Sequence, residues 1–437
     1  MSELALLGGE KAVTKDAEDI FKKVPEDVME KMDEAVLDVL HKWKMSGKDI
    51  TKDFEEGFAN WHNTKYGLTY TNGTAAIMAS LFGLGVGHGD EVICPSITYW
   101  ASSVQIYSLG ATPVFADIDP DTLCIDPEDI EDKITDKTKA IVVVHYAGMP
   151  ADMDAIMELA EKYDIKVLED ASHAHGALYK GKMVGTIGDV GAFSLMAGKS
   201  FGIGEAGILI TDNKEVYERT LVFGHYSRHK ELTIDYLKEG AHLPWGGVKG
   251  RLNQLNSAIG LVMLDFFPKQ MEEISKAMNY FWDLLEDVPG VQSHRSERKD
   301  TTKGGWYFPL GHYNSEELGG LSVKRFTEAV QAEGCDIGIG INKALHPHPL
   351  FKTIDIYNQG QPTRIANTER DVRELDGDLP VTENIQERVF RTPLFYRFKP
   401  ELIEEYANAV KKVANNYKEL LEDDPGNPES LGVFFRY

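Results

Sequence analysis

Between residues 55 and 212 the chain repeats one pattern, a short run that is apolar throughout followed by a helical stretch. The runs EVICP (91–95), TPVFADI (112–118), KAIVVVHY (139–146) and IKVLED (165–170) read as strands. Helical patterns fall at about 74–84, 99–109, 127–134 and 151–163. Strands that are apolar on both faces and alternate with helices predict a parallel sheet covered on both sides. Two further runs, GAFSL (191–195) and GILITD (207–212), break the rhythm. The Gly-rich stretch between Leu195 and Gly207 is too short for a parallel crossover, which takes about a dozen residues or more and usually a helix. An antiparallel strand after a loop is the simpler reading, so the sheet is predicted to be mixed but mostly parallel. Lys199 then sits on a turn at a strand end, where open α/β sheets carry their sites.

Beyond residue 255 an amphipathic pattern runs through LNSAIGLVMLDFFPKQMEEISKAMNYFWDLLEDV. Pro268 is expected to start or kink a helix there, and a linking helix is assigned to 266–300. It would join a large domain (55–265) to a smaller α+β domain (301–437) containing WYFPLGHY, FTEAVQAEG and a closing helix, PELIEEYANAVKKVANNYKELLEDD. The tail PGNPESLGVFFRY is open between packing on that domain and lying loose.

At 437 residues the chain is long enough for two domains and a large core. A net charge of −24 argues against nucleic acid or an anionic membrane as partner. It does not identify a substrate, because an acidic surface can surround a basic pocket. Cys94, Cys124 and Cys335 show no pairing spacing and fit a reducing compartment. MSELALLGGEKAV lacks the features of a secretory signal, and no apolar run approaches the roughly 20 residues of a membrane span. A cytoplasmic protein is expected, with no metal site.

Asp170 follows KVLE and so ends a strand; alone, such a carboxylate is more often a cap. Lys199, between Gly198 and Gly202 with few charges nearby, is alone more often a solvated loop lysine. Together they look like two ends of a pyridoxal 5'-phosphate (PLP) site. The amine would hold the aldehyde as a Schiff base, and the carboxylate would pair with the protonated ring nitrogen. Asn72-Gly73-Thr74 precedes the helical run AAIMASLFGLG, and a helix start with a threonine hydroxyl suits a phosphate, the alternative being a plain N-cap. In PSITYWASS, Tyr99 and Trp100 offer a ring to stack on a flat cofactor, or to fill core. Ser194 would bring a second hydroxyl, and the SHAHG histidines could be satisfied interior groups.

These pieces occur in an order that resembles the DegT/DnrJ/StrS sugar aminotransferases, PLP enzymes of fold type I. The resemblance runs from Ser46-Gly47 to the closing helix. It is carried by NGTAA, GDEVICPSITYWAS, TPVFADIDPDTLCIDP, ITDKTKAIVVVHYAG with ADMDAI, EDASHAHGA, GTIGDVGAFSL, the lysine turn with GEAGILITD, RLNQLNSAIG and LHPHPLF. It implies a seven-stranded mixed sheet with a smaller α+β C-terminal domain, and an N-terminal segment (1–54) packed on that domain or at a dimer interface.

The resemblance also implies roles. Lys199 forms the internal aldimine and moves the proton between substrate carbon and cofactor, while Asp170 keeps the ring nitrogen protonated. Gly73, Thr74, Ala75 and Ser194 hold the phosphate, and Tyr99 covers a ring face. His173 stands near the ring hydroxyl, where many members carry Gln and some, aminohydroxybenzoate synthases included, carry His. Lys249 in GGVKGR departs from the Asn of many members but can reach the neighbouring subunit's phosphate as a point charge, implying a homodimer with shared sites. His346 is a candidate substrate contact, weighed equally against a structural histidine. Related dehydratases have His in place of the lysine, so Lys199 favours amine transfer.

The implied reaction moves an amino group from glutamate or glutamine, through pyridoxamine phosphate, to an oxo-sugar or oxo-cyclitol. The alternatives are an aminohydroxybenzoate synthase, a sugar dehydratase, or a non-catalytic PLP-binding regulator. DTLCIDP and SHAHGA match cyclitol and aminohydroxybenzoate members as much as nucleotide-sugar ones. Arg228 and Arg251 do not discriminate between them.

Overall fold

A computed structural model of the protein describes residues 3–434; the last three residues of the tail lie outside it. Its centre is a seven-stranded sheet in the order β1-β9-β8-β5-β4-β2-β3. The strands are β1 (Tyr66–Tyr70), β2 (Glu91–Pro95), β3 (Thr112–Ala116), β4 (Thr138–Val144), β5 (Lys166–Asp170), β8 (Val190–Ser194) and β9 (Gly207–Thr211). A small hairpin, β6 (Leu178–Tyr179) and β7 (Lys182–Met183), lies between β5 and β8. Strands β2, β3 and β9 are buried along their whole length, as covered faces require. Neighbours from β3 to β8 pair in parallel, and β9 runs antiparallel to both β8 and β1. The short Gly-rich link therefore reverses the chain, as its length predicted.

Strand β1, YGLTY, is not among the sequence-expected strands. It is an edge strand whose register is fixed by β9, with Tyr70 opposite Gly207. It leads into the helix Gly73–Gly83, which is apolar nearly all round and buried.

The long helix spans Gln254–Asp283, so the expected boundary at 266 falls inside it, and Pro268 lies within it rather than at its start. The Asn253 side chain caps it by accepting from the Asn256 N–H. An interior proline costs about 3 kcal/mol. Burial of Met263, Phe267, Ile274, Met278, Phe281 and Trp282 outweighs that cost. Met263 and Phe267 join the sheet's core, whereas Ile274, Phe281 and Trp282 join a second cluster with Phe326, Ile403 and Val410. That second cluster packs beside an antiparallel sheet, β10 (Val291–Ser293), β11 (Leu310–Tyr313), β13 (Val389–Arg391) and β12 (Gly338–Ile339), in that order.

Two segments cross between the cores. Leu4, Ala17 and Ile20 pack into the second cluster, while Ile341, Leu345, Phe351, Val372 and Leu379 pack into the first. An ion pair fastens the latter stretch. Arg364 bonds Glu374 (Nη1 to Oε2, 2.6 Å) and donates from Nε to the Pro113 carbonyl (3.1 Å), and both side chains are buried. The sheet's own strand β3 thus holds residues expected to belong to the C-terminal domain.

Candidate active site

At the carboxyl ends of β5 and β8 lies a cavity of about 330 Å³. Gly73, Thr74, Tyr99, Asp170, His173, Ser194 and Lys199 all line it. Seven residues singled out from the sequence are thereby brought to one place.

The helix start forms one end. Asn72 Oδ1 accepts from the Ala75 N–H (2.8 Å), which leaves the Gly73 and Thr74 N–H groups without intrahelical partners. A Cβ at Gly73 would lie 2.6 Å from Ser194 Cβ, and one at Gly207 would lie 2.3 Å from the Asn72 carbonyl oxygen. Only glycine permits these backbones to close up, and the closure sets the Ser194 hydroxyl beside the helix start. The Ser194 N–H in turn donates to Ser172 Oγ (2.9 Å).

Glu169 and Asp170 end β5 and point to opposite faces, as successive strand residues must. Glu169 is turned away and accepts from His145 Nε2 (2.9 Å) and from the Gly185, Ile187 and Gly188 N–H groups. Asp170 faces the cavity. Its Oδ2 accepts from Ser102 Oγ (2.7 Å) and its Oδ1 from the Ser172 N–H (3.1 Å), which fixes the carboxylate plane.

Lys199 is 8 % exposed. Burial pushes its pKa down to about 7, against the pull of Asp170, which raises it. Its Nζ stands 4.1 Å from the centre of the Tyr307 ring. The turn beneath it is closed by the Lys199 N–H bond to the Met196 carbonyl (2.8 Å). Lys23, from the N-terminal segment, donates to the carbonyls of Ala197 (2.8 Å) and Lys199.

His173 Nδ1 accepts from the Ala147 N–H (3.3 Å), placing the ring proton on Nε2. Burial, and then the Lys199 charge, hold its pKa well below the usual histidine value, so the ring is neutral. Tyr307 lies against it (4.7 Å between ring centres).

Tyr307 and Phe308 complete a wall that the sequence reading did not assign. They belong to GGWYFP, where Gly304, Trp306 and Phe308 all take positive φ, a bent strap rather than a strand. Lys303 anchors that strap by donating from Nζ to His294 Nδ1 (3.0 Å) and to the His294 carbonyl (2.9 Å). Two glycines before three aromatics were the available signal.

Three expected residues lie elsewhere. The Ala75 N–H is spent on the Asn72 cap, and Ala75 is outside the cavity lining. Lys249 is exposed, away from this cavity, and makes no ion pair among the described residues. His346 is buried behind the wall, where its Nδ1 meets Ser96 Oγ (2.9 Å) and its N–H donates to the same oxygen (3.1 Å). The Pro-rich turn packs His346 inward, outside the cavity lining. Arg228 is also committed, to Glu55 (2.7 Å) and Glu231 (2.9 Å).

The donor set suits PLP. Unpartnered helix-start N–H groups and two hydroxyls match a phosphate, an oriented carboxylate matches a pyridinium N–H, and a buried, half-neutral amine matches an aldehyde. Among the described residues no helix is long and apolar enough to cross a membrane.

Comparison with known proteins agrees with this chemistry. The sequence profile described as the DegT/DnrJ/EryC1/StrS aminotransferase family matches residues 26–411. The chain is 33% identical to the L-glutamine:2-deoxy-scyllo-inosose aminotransferase of Micromonospora echinospora, over 89% of this chain and 93% of that protein. It is 39% identical to the GDP-perosamine synthase of Escherichia coli O157:H7, over 63% of this chain and 73% of that one. The crystal structure of an aminotransferase from Psychrobacter cryohalolentis superposes with a TM-score of 0.75 at 28% identity, covering 89% of this chain and 97% of the other.

Proposed function

Because the chain belongs to the DegT/DnrJ/EryC1/StrS aminotransferase family, we propose that it uses PLP to move an amino group from glutamine or glutamate to an oxo-sugar or oxo-cyclitol. The observation that carries this reading is the convergence of Lys199, Asp170 and the Gly73-Thr74 helix start on one cavity. PLP bound there supplies an aldehyde carbon that exchanges amines and a cationic ring that takes up electron density.

The chain's own residues supply the rest. Thr74 and Ser194 hydroxyls, with the Gly73 N–H, bind the phosphate at the positive end of a helix. Asp170 would accept the ring N–H, and the Ser102 hydroxyl keeps that carboxylate aimed. Lys199 Nζ, its pKa brought down to about 7 by burial, would offer a neutral amine to the aldehyde and could take up or release a proton at that nitrogen. His173 Nε2–H would be free to donate to the ring hydroxyl, and Tyr99 would offer its ring to one face. Lys249, exposed outside its own cavity, serves the phosphate of a second copy, so the working unit is a homodimer.

The test is a donor–acceptor screen on PLP-loaded protein, with glutamine or glutamate, polyhydroxycyclohexanones and nucleotide-linked keto-sugars, product followed by mass. An amine product that disappears with Lys199→Ala is expected. A colourless protein that takes up no PLP refutes the reading, and an aromatic product formed without consumption of donor replaces it by aminohydroxybenzoate formation.

A further inference from the structure

A buried amine ordinarily finds a carboxylate or a carbonyl oxygen to receive its protons. Among the described residues Lys199 Nζ makes no hydrogen bond and no ion pair, although Asp170 lines the same cavity. What stands against it is the face of Tyr307, with Nζ 4.1 Å from the ring centre. An aromatic face is the negative side of the ring's quadrupole, so it attracts the ammonium and does little for the free amine.

Tyr307 is held there through its backbone. Its hydroxyl makes no hydrogen bond among the described residues. The strap 303–308 docks instead on the chain neighbours of the two residues that its ring meets. Ser200, next to Lys199, donates from Oγ to the Gly305 carbonyl (2.9 Å). The Gly305 N–H donates to the carbonyl of His175 (3.1 Å), two residues beyond His173. Only glycine allows so close an approach. A Cβ on Gly305 would lie 2.5 Å from Ser200 Cβ, and one on Gly304 would run into the His175 carbonyl oxygen. The ring then lies against His173 (4.7 Å between centres) and over Nζ, so the strap sets the spacing of ring and amine.

The other charged and titratable groups around Nζ leave the ring a part of its own. Asp170, on β5, favours the ammonium through space. His173 and His175 are buried, with pKa values held well below the usual histidine value, and so are neutral. Lys23 lies under the turn, lowered by burial to about 8, and donates to two backbone carbonyls. Glu205 and Tyr99 line the cavity from exposed positions. None of these groups hydrogen-bonds Nζ.

We propose that Tyr307 is a positioning residue for Lys199, its ring face being the rest on which the ammonium settles whenever Nζ is not bonded to a carbonyl carbon. The use of that rest depends on the aminotransferase reading above, in which Nζ alternately takes and releases such a carbon. The contact of ring and amine does not.

The test replaces Tyr307 in the full-length chain by phenylalanine and by its mono-, di- and trifluorinated analogues. These rings share shape and burial and differ in how negative the face is. The cofactor-free chain is the state in which Nζ is unbonded, so Lys199 is titrated there by competitive acylation, its peptide quantified by mass spectrometry. A urea melt checks that each variant is folded. Tyr307→Phe should titrate with the unaltered chain, since the hydroxyl is not used. Each added fluorine weakens the hold on the ammonium, so the midpoint should move toward acid, by about one pH unit across the series. A midpoint that ignores fluorination, or that moves toward alkali, overturns the proposal. So does a shift in Tyr307→Phe larger than the whole fluorine series, which would assign the effect to the hydroxyl. PLP uptake by the unaltered chain, read from the visible Schiff-base band, is scored separately. Without it the aminotransferase reading falls and takes the use of the rest with it, whereas a flat series in a chain that does load PLP overturns the part of Tyr307 alone.

Discussion

Lys199 should titrate near neutrality before any cofactor is bound. Burial takes its pKa from 10.5 to about 7, with Asp170 opposing. At about 1.4 kcal/mol for each factor of ten, the drop is a bias of about 5 kcal/mol against the ammonium. At pH 7 about half of the side chain is then free amine, against about one part in three thousand for a lysine at 10.5. Nucleophile supply at the aldehyde is raised on the order of a thousandfold. Competitive acylation of the cofactor-free chain with a trace reagent, from about pH 5 to about pH 10, reads this directly when each lysine peptide is quantified by mass spectrometry. Reactivity of Lys199 should climb through pH 7 and level off. Asp170→Asn removes the charge that favours the ammonium, so the midpoint must move toward acid. A midpoint above about 9, or a shift toward alkali in the Asp170 variant, would show that burial does not govern this amine.

Gly73→Ala pushes a methyl to within 2.6 Å of Ser194 Cβ, so the helix start must back away from β8. A PLP titration should show affinity lowered about tenfold, with about 1–3 kcal/mol of stability lost in a urea melt. Lys23→Met strips the donor from two turn carbonyls and should cost about 1–3 kcal/mol while slowing PLP capture. Recovery of the capture rate by Lys23→Arg would separate the donated bonds from mere packing. Arg364→Met leaves Glu374 buried without its partner and should cost about 3–5 kcal/mol in denaturant unfolding. The double change Arg364→Met with Glu374→Leu should restore most of that loss, which a purely steric account of Arg364 does not anticipate.

The parts of the fold that were legible in the sequence are those with local causes. Apolar runs such as KAIVVVHY declare a strand covered on both faces, and the short link after Leu195 cannot make a crossover. Asp170, Lys199 and the Asn72-Gly73-Thr74 start were readable because each sits at the end of such an element. What escaped depends on distant partners. YGLTY carries a glycine and a threonine and becomes a strand because β9 lies beside it. Tyr307, Lys23 and Val433 reach the site from segments far along the chain, and no periodicity encodes that meeting. A histidine before a proline looks the same from the sequence whether it faces a cavity or, as His346 does, Ser96. The helix start at Gln254 escaped because the local cost of Pro268 is visible in the sequence and the two cores the helix spans are not.

The pairing of β1 with β9 also orders events in time. β1 stands at the sheet's edge with β9 as its neighbour there, so during synthesis Tyr66–Tyr70 must wait until Thr211 has left the ribosome before it can take its place. The Gly73 helix start proposed to receive the phosphate follows β1 directly and is shaped by Gly207 and Ser194, so a nascent chain shorter than this lacks that arrangement. Chains stalled at successive lengths should begin to retain PLP only once β9 has emerged. Capture of the cofactor thus becomes a report that the sheet's least local pairing has formed.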